Sequence, residues 1–352
     1  MRKTNKKGFT IVELVVVIAV IAILAAVLIP TFSGIIKKAN EASDTVVAKE
    51  INTALAEYSA LNGDPEDFEE VLKAIEGAGY VLANLNAKAG GNLYAWDLDN
   101  NQIVYINAKG ETLYKNVDFK QESLKFIIAN EGVAVPDWAD ATAVVDMTKP
   151  TGAIFLKNAL VAGGAVELGG DIKVTDGSAA GGNYITTDTT VDFGNNVITL
   201  DIQGSPASYN GLRINGGNVV LDAGENGGIV TIDNPELYAL TVGQGLGAQY
   251  KDVHVTINGG KYVGGTTAVN VVNGTVTING GFFESLSSGG FVINVNDRSR
   301  ATALVTVKGG TFVNFNPAES PCGEGEVIVA EGYKVESEEK ANGDIWYSVV
   351  AK

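Results

Sequence analysis

The run of apolar residues from Phe9 to Ile36 constrains the fold of this chain more than any other feature of its sequence. The run is 28 residues long, and Glu13 is its only charged residue. Because a helix of about 20 apolar residues crosses the ~30 Å hydrocarbon core of a bilayer, the run predicts a membrane-spanning helix. A carboxylate within such a helix is costly, so Glu13 requires a functional explanation.

Three interpretations of residues 1–36 account for this run. A cleaved secretory signal peptide has an apolar region of about 7–15 residues, and the uncharged stretch Leu14–Ile36 is longer than that. A plain signal anchor, oriented by the basic residues before the run, accounts for the length but leaves Gly8 and Glu13 unexplained. The third interpretation explains both residues, and it depends on the motif around them.

The sequence KKGFTIVE combines a basic pair, a glycine, a phenylalanine and a spaced glutamate directly before the apolar run. This combination resembles the processing motif of type IV prepilins, and the resemblance covers roughly the first 60 residues. It implies a leader over residues 1–8, a prepilin peptidase that cuts between Gly8 and Phe9, and methylation of the new amino group of Phe9. It also implies that Glu13 pairs with the amino terminus of a neighbouring filament subunit. The alternative for Glu13 is a side chain that reaches the lipid headgroups.

The helical pattern continues beyond the apolar run. From Lys37 onward charged residues appear, while apolar residues recur at intervals of three and four, at Val47, Ile51, Leu55, Tyr58 and Leu61. This pattern predicts one long helix over residues 9–62, with residues 9–36 in the membrane or the filament core. Pro30 removes a helical hydrogen bond and Gly34 adds local freedom, so together they predict a bend. The alternative is that Pro30 ends the membrane helix.

Two shorter segments follow the long helix. Residues 63–115 are interpreted as a small α/β head, with a short helix and with strands on both sides of the turn Leu98–Asn101. Residues 116–150 are interpreted as a connector, in which Gln121–Asn130 is expected to form a helix. A long helix with a small antiparallel sheet is the α+β plan that the resemblance to pilins implies.

Residues 151–352 contain internal repeats. The block VTINGGKY at residues 255–262 recurs as VTINGGFF at 276–283 and as VTVKGGTF at 305–312. A fixed short strand followed by a variable loop predicts stacked turns that cover each other's apolar side chains. We therefore expect an all-β right-handed parallel β-helix, which resembles the architecture of pectate-lyase-like and adhesin proteins. A β-sandwich or another parallel solenoid is the alternative.

Two further expectations follow from the repeats. Asn258 and Asn279 occupy the same position in successive blocks and are expected to stack as a ladder that Lys308 interrupts. Residues 332–350 are predicted to form a hairpin with Asn342-Gly343 at its turn. This hairpin would cover the unpaired strand edge at the end of the stack.

The repeat region lacks the residue patterns of a polysaccharide-cleaving enzyme. Glycoside hydrolases place two carboxylates around one bond, whereas the aspartates from Asp171 to Asp233 are scattered singly. A calcium loop beginning at Asp97 fails, because Gln102 stands where an EF-hand needs glycine. The chain has one histidine and one cysteine, which leaves little scope for metal centres. We therefore predict no catalytic residue, no metal site and no cofactor.

Charge and motif together define the expected function. The formal net charge of −16 argues against nucleic acid as a partner, because phosphates would be repelled. We expect a non-enzymatic, type IV pilin-like structural subunit, held in the cell membrane by one helix with its body extracellular, that polymerises and displays the β-helix for adhesion or glycan binding. Expected partners are other pilin subunits, prepilin peptidase, the assembly machinery and membrane lipid. The alternatives are a pseudopilin of a type II-like secretion system and a membrane-anchored polysaccharide-acting enzyme.

Overall fold

The computed structural model describes most of the chain beyond residue 10. The described residues are 11–80, 85–107, 109–128, 135–139, 144–146, 149–175, 184–202, 210–232, 234–243, 253–288, 291–295, 303–319 and 327–352. They form two compact units. The stem unit is the described part of Met1–Asp64, Asn86–Ile127 and Val133–Val144, and the coil unit is the described part of Pro65–Leu85, Ile128–Gly132 and Val145–Lys352.

Helix α1, Ile11–Asn62, confirms the predicted long helix over the described residues. Its 52 residues correspond to about 78 Å at ~1.5 Å per residue. Pro30 and Gly34 lie inside the helix, and the hydroxyl of Thr31 donates a hydrogen bond to the carbonyl of Val27 at 2.9 Å. Pro30 therefore does not end the helix, and the bend expected at Pro30 and Gly34 stays a prediction.

The stem unit also contains most of a five-stranded sheet in the order β3-β2-β1-β4-β5, of which Ile128 and residues 145–146 fall in the coil unit. Its strands are β1 Leu93–Asp97, β2 Gln102–Ile106, β3 Thr112–Tyr114, β4 Leu124–Ile128 and β5 Val144–Asp146. Strands β1 and β2 pair antiparallel around the predicted turn, which confirms that hairpin. The buried core of the sheet is apolar and consists of Leu93, Ala95, Val104, Ile106, Leu124 and Phe126.

The helix expected over Gln121–Asn130 is wrong for the residues that the structure describes. A short 3-10 turn at Gln121–Ser123 leads directly into β4, which pairs antiparallel with β1. Leu124 and Phe126 are two residues apart and are both buried in the sheet core, as the two-residue period of a strand requires. Part of the stretch interpreted as a connector is therefore a structural strand.

Most of the coil unit consists of short strands. They are β6 Gly164–Glu167, β7 Ile172–Val174, β8 Tyr184–Ile185, β9 Thr189–Asp192, β10 Val197–Leu200, β11 Asn210–Ile214, β12 Gly217–Asp222, β13 Gly228–Thr231, β14 Tyr238–Val242, β15 Val253–Ile257, β16 Lys261–Gly264, β17 Thr267–Val271, β18 Gly274–Ile278, β19 Phe282–Ser285, β20 Ile293–Val295, β21 Ala303–Val307, β22 Gly310–Val313, β23 Val327–Val329, β24 Tyr333–Glu339 and β25 Ile345–Ala351.

These strands form three sheets through which the chain passes repeatedly. Sheet A has the order β23-β21-β18-β15-β12-β9-β6, sheet B has β24-β25-β22-β19-β16-β13-β10-β7, and sheet C has β20-β17-β14-β11-β8. Pairs from successive turns are parallel, as in β15 with β18 and β16 with β19. From β6 to β22, strand numbers therefore rise by three within each sheet, and each turn from β6 to β20 supplies one strand to every sheet.

The repeated sequence blocks stack in register inside this arrangement. Tyr262, Phe283 and Phe312 occupy equivalent positions of the three blocks, and their rings stack at centroid distances of 5.4 and 5.0 Å. These three rings are fully buried and belong to one continuous apolar core inside the stack. Hairpin β24–β25 pairs antiparallel with β22, which confirms the predicted hairpin and its place on the strand edge.

Two short helices belong to the coil unit, α2 Phe68–Gly77 and α3 Ala153–Ala162. The ring of Phe68 stacks on that of Phe155 at 6.0 Å, and α3 lies against the first strands of the stack. Helix α2 falls in the segment 63–115 that the sequence assigns to the head. Its packing on α3 groups it with the repeats instead.

Candidate functional site

The first half of α1 exposes a continuous apolar surface. Every large hydrophobic side chain from Ile11 to Ile36 is 46–81% exposed, whereas the buried residues of this helix begin at Asp44. An 18-residue window of the helix has a mean hydropathy of 3.2, so α1 is long and apolar enough to cross a membrane. An exposed apolar surface of this size is typical of a segment that contacts lipid or another protein.

The predicted assembly residues lie at the start of this surface. Glu13 is in the first described turn of α1, and its side chain is exposed. Gly8 and Phe9, the predicted cleavage site, lie outside the described residues. Cleavage there, methylation of Phe9 and its pairing with Glu13 of a neighbour therefore remain predictions. Pro30 and Gly34 lie further along the same exposed segment.

A buried carboxylate fastens α1 to the sheet of the stem unit. Asp44 accepts hydrogen bonds from the backbone amides of Lys88 at 2.9 Å and Ala89 at 3.0 Å, and from the hydroxyl of Tyr105 at 2.8 Å. Burial raises the pKa of Tyr105 above its ordinary value, and the hydrogen bond to Asp44 adds to the increase. Sequence analysis missed this site, because a polar residue in an amphipathic helix usually faces solvent.

A second buried polar residue of α1, Asn52, makes a two-way link to strand β2. Its Nδ2 donates to the carbonyl of Ile103 at 2.9 Å, and its Oδ1 accepts from the amide of Ile103 at 2.5 Å. The side chain thus satisfies both backbone groups of one strand residue, as a neighbouring strand would. Asn52 and Asp44 therefore fix the position of the helix along the sheet.

The turn between β1 and β2 is held by hydrogen bonds around a buried carboxylate. Asp97 accepts from the amide groups of Asn100 at 2.6 Å and Gln102 at 2.8 Å, and also from the hydroxyl of Ser123. Asn101 has a φ of 45°, which places it in the left-handed region of a tight turn. The loop is therefore a turn rich in Asn and Asp residues that is held by its own hydrogen bonds, and it is not an EF-hand loop.

The predicted asparagine ladder lies on the outside of sheet A. The Nδ2 of Asn279 donates to the Oδ1 of Asn258 at 2.8 Å, and the Nδ2 of Asn258 donates to the Oδ1 of Asp222 at 2.5 Å. The register of β18 with β21 places Lys308 after Asn279, where the amide ladder ends. The ladder prediction is therefore confirmed.

Carboxylates of the coil unit connect one turn of the stack to the next. Asp171 accepts a hydrogen bond from the amide of Val197 at 2.8 Å, and Asp188 accepts one from the amide of Asn218 at 2.8 Å. The hydrogen bond from the Asn218 amide lowers the pKa of Asp188. In the part of the chain that the structure describes, no group of three or more His, Cys, Asp or Glu residues is placed to hold a metal ion.

Comparisons with known proteins agree with the amino-terminal motif. The family model described as the prokaryotic N-terminal methylation motif matches residues 3–29. The type IV wide pilus major component PilA4 of Thermus thermophilus is 57% identical over 51 residues, which are 14% of this chain and 37% of that protein. The fimbrial protein EcpC of Eikenella corrodens is 29% identical over 132 residues, which are 38% of this chain and 81% of that protein. No solved structure gives a significant match.

These matches confirm the prepilin motif that the sequence predicts. Both relatives are named as components of surface filaments. The chain spans little more than a third of the length of the Thermus protein. The family model matches only residues 3–29 and does not reach the repeat region. The function of the repeat region is therefore argued from its own structure.

Proposed function

We propose that the protein is an exported, type IV pilin-like filament subunit, from the premise that its amino-terminal part matches the prokaryotic N-terminal methylation motif and is similar to a type IV pilus component. The observation that carries the proposal is the exposed apolar surface from Ile11 to Ile36, most of which lies within the matched methylation motif of residues 3–29. A surface of this kind is stable in lipid before assembly and against other helices after it. The proposed partners are therefore membrane lipid first, and other pilin subunits afterwards.

The processing step follows from the same motif. We propose that a prepilin peptidase cuts between Gly8 and Phe9 and that the amino group of Phe9 is then methylated. Methylation keeps the positive charge of that group. A carboxylate within an apolar layer is less costly when a positive charge lies close to it. Glu13 therefore sets the axial register by pairing with Phe9 of a neighbouring subunit.

The proposed orientation places the coil unit outside the cell. The basic residues before α1 hold that end of the helix in the cytoplasm before processing, because positively charged segments stay on the inner side of a membrane. After assembly, Pro30 and Gly34 give the stem the local freedom to bend. The coil unit is then displayed on the filament for adhesion to a surface or a glycan.

We propose a right-handed parallel β-helix for the coil unit. The strands from β6 to β22 pair in parallel and enter three sheets in turn, which supports this assignment. Connections between parallel strands of one sheet are right-handed in about 98% of cases, because the twist of the strands favours that hand. A rigid, repetitive body of this kind suits display, since its loops can vary while its core repeats.

The proposal is tested by assembly of a Glu13→Ala variant in cells that make the natural filament. The variant is expected to insert into the membrane and to fail in filament formation, as measured by electron microscopy and by immunoblotting of sheared filaments. Glu57→Ala is the matched control, because Glu57 is an exposed carboxylate on the same helix beyond the apolar segment. Normal filaments from the Glu13 variant would overturn the register role. Mass spectrometry of the mature subunit is expected to find a methylated Phe9 at its amino terminus. A mature chain that begins at Met1 would overturn the pilin proposal.

A further inference from the structure

The tip of hairpin β24–β25 forms a cleft with the outer face of sheet B. The cleft has a volume of about 480 Å³ and lies against strands β19 and β22. This volume falls within the ~300–1,000 Å³ that small-molecule sites usually occupy. The side chains that matter for its chemistry are Phe282, Glu284, Val313, Lys340, Asp344 and Trp346.

One wall of the cleft is aromatic. The ring of Trp346 meets the ring of Phe282 edge to face, with centroids 5.1 Å apart and planes inclined at 65°. The ammonium group of Lys340 lies 4.4 Å from the centroid of the Trp346 ring. Such rings offer an apolar surface of fixed shape, and tryptophan adds an N–H donor at its edge.

The floor of the cleft carries a carboxylate without a hydrogen-bond donor among the described residues. Glu284 is half-buried between the outward side chains of Val263 and Val313. Burial raises the pKa of Glu284, and the positive charge of Lys261 opposes that increase only in part. A half-buried carboxylate in this position gains from a ligand that donates hydrogen bonds.

The rim of the cleft is already ordered before any ligand binds. Asp344 accepts hydrogen bonds from the Nδ2 of Asn314 at 2.8 Å and from the Nδ2 of Asn342 at 2.5 Å. The amide of Gly343 donates to the carbonyl of Lys340 at 2.9 Å, and this bond closes the turn. Because the turn is closed and the rim is bonded to β22, binding requires little ordering of the protein.

We propose that this cleft binds the end of a neutral glycan chain. A sugar ring combines an apolar face, which fits against the part of the Trp346 ring left exposed beside Lys340, with neighbouring hydroxyl groups, which can donate to Glu284 and accept from Lys340. Cationic ligands compete with Lys340, whose ammonium group already lies over the Trp346 ring. Acidic sugars meet two carboxylates, Glu284 and Asp344. The inference rests on the proposed display of the coil unit, and it names the class of ligand.

The test uses the full-length subunit in a detergent without a sugar headgroup. The probes are the neutral disaccharides lactose, cellobiose, maltose and chitobiose, together with glucosamine and sialyllactose as charged probes. Saturation-transfer NMR detects contact, and titration gives the dissociation constant. At least one neutral disaccharide is expected to bind, and Glu284→Gln is expected to weaken it by about tenfold or more.

Glu336→Gln is the matched control, because Glu336 is an exposed glutamate of the same hairpin that pairs with Lys334 at 2.6 Å. It is expected to leave sugar binding unchanged. Trp346→Phe keeps an aromatic ring, so this variant is expected to retain the fold. It is expected to weaken sugar binding less than Glu284→Gln does. The proposal is overturned if no neutral disaccharide binds, if only a charged probe binds, or if Glu284→Gln binds as the parent does. Filaments that still assemble in those cases would leave the proposed pilin function standing.

Discussion

The carboxylate of Asp44 in the stem helix accepts a hydrogen bond from the hydroxyl of Tyr105 in the stem sheet at 2.8 Å. The same carboxylate accepts two backbone amides, those of Lys88 and Ala89. One buried side chain of α1 therefore satisfies three donors that belong to the rest of the stem unit. Together with Asn52, this contact holds the helix against the sheet of the stem unit.

Replacement of Asp44 should loosen this contact. Asp44→Ala leaves the buried amide of Ala89 and the part-buried amide of Lys88 without acceptors, and a buried group left unpaired costs about 1–3 kcal/mol. The free energy of unfolding of the stem unit is therefore expected to fall by about 3 kcal/mol, while Tyr105→Phe should lower it by about 1 kcal/mol. Denaturant titration of the full-length chain, with hydrogen exchange of the Lys88 and Ala89 amides, measures both changes. An Asp44→Ala variant as stable as a Glu57→Gln control would contradict the role of the carboxylate.

The aromatic stack of the coil unit contains a hydroxyl that has no partner among the described residues. Tyr262 is fully buried, and its hydroxyl makes no hydrogen bond there. Removal of an unpaired buried polar group is neutral or favourable, so Tyr262→Phe is expected to raise the unfolding free energy by up to about 1 kcal/mol. Phe283→Ala, in the same stack, should lower it by about 3–5 kcal/mol by leaving a cavity. Thermal unfolding of both variants decides this, and a Tyr262→Phe variant less stable than the parent would refute the expectation.

The contact of Glu69 with α3 predicts a pH dependence of stability. Its Oε1 accepts the amide of Ile154 at 2.7 Å, whereas its Oε2 is buried without a hydrogen bond from the described residues. Burial raises the pKa of Glu69 above its ordinary value of 4.5. The hydrogen bond from Ile154 lowers this pKa, but it compensates for the effect of burial only in part. The folded chain therefore binds this proton more tightly than the unfolded chain does.

The sign of the effect follows from that difference. The contribution of Glu69 to the unfolding free energy is largest below pH 4.5, the ordinary pKa, and it decreases as the pH rises through the higher folded pKa. Glu69→Gln should remove this part of the pH dependence, since glutamine does not titrate but can still accept from Ile154. Chemical denaturation of both chains between pH 4 and 8 provides the comparison. Parallel stability curves for the two chains would rule out the effect.

The close stacking of turns predicts that two glycines differ in how well they tolerate replacement by alanine. Gly228 and Gly343 both have positive φ, at 140° and 90°, so alanine is strained at either position by about 1–2 kcal/mol. A Cβ at Gly228 would lie 2.1 Å from the carbonyl oxygen of Lys261 in the next turn, whereas nothing lies within 4 Å at Gly343. Gly228→Ala should therefore be clearly more destabilising than Gly343→Ala in thermal unfolding. Equal losses would show that the turns can separate without cost.

The sequence by itself determined the features that depend on local pattern. The apolar run and the motif around Glu13 identified the stem helix, because a membrane segment is recognisable from its composition alone. The repeated blocks predicted the stacked turns and placed Asn258 next to Asn279, because equal positions in equal repeats coincide when the turns stack. The Asn-Gly signal located the final hairpin, since few residues fit the turn that it requires.

Only the tertiary structure decided the features that depend on distant partners. Strand β4 appears where a helix was expected, because pairing with β1 outweighs the weak local preference of a short apolar segment. Helix α2 joins the coil unit because Phe68 finds Phe155, far away in the sequence. The buried role of Asp44 and the cleft that Trp346 and Glu284 line together have the same origin. No local pattern encodes them, since each depends on which surfaces the folded chain brings together.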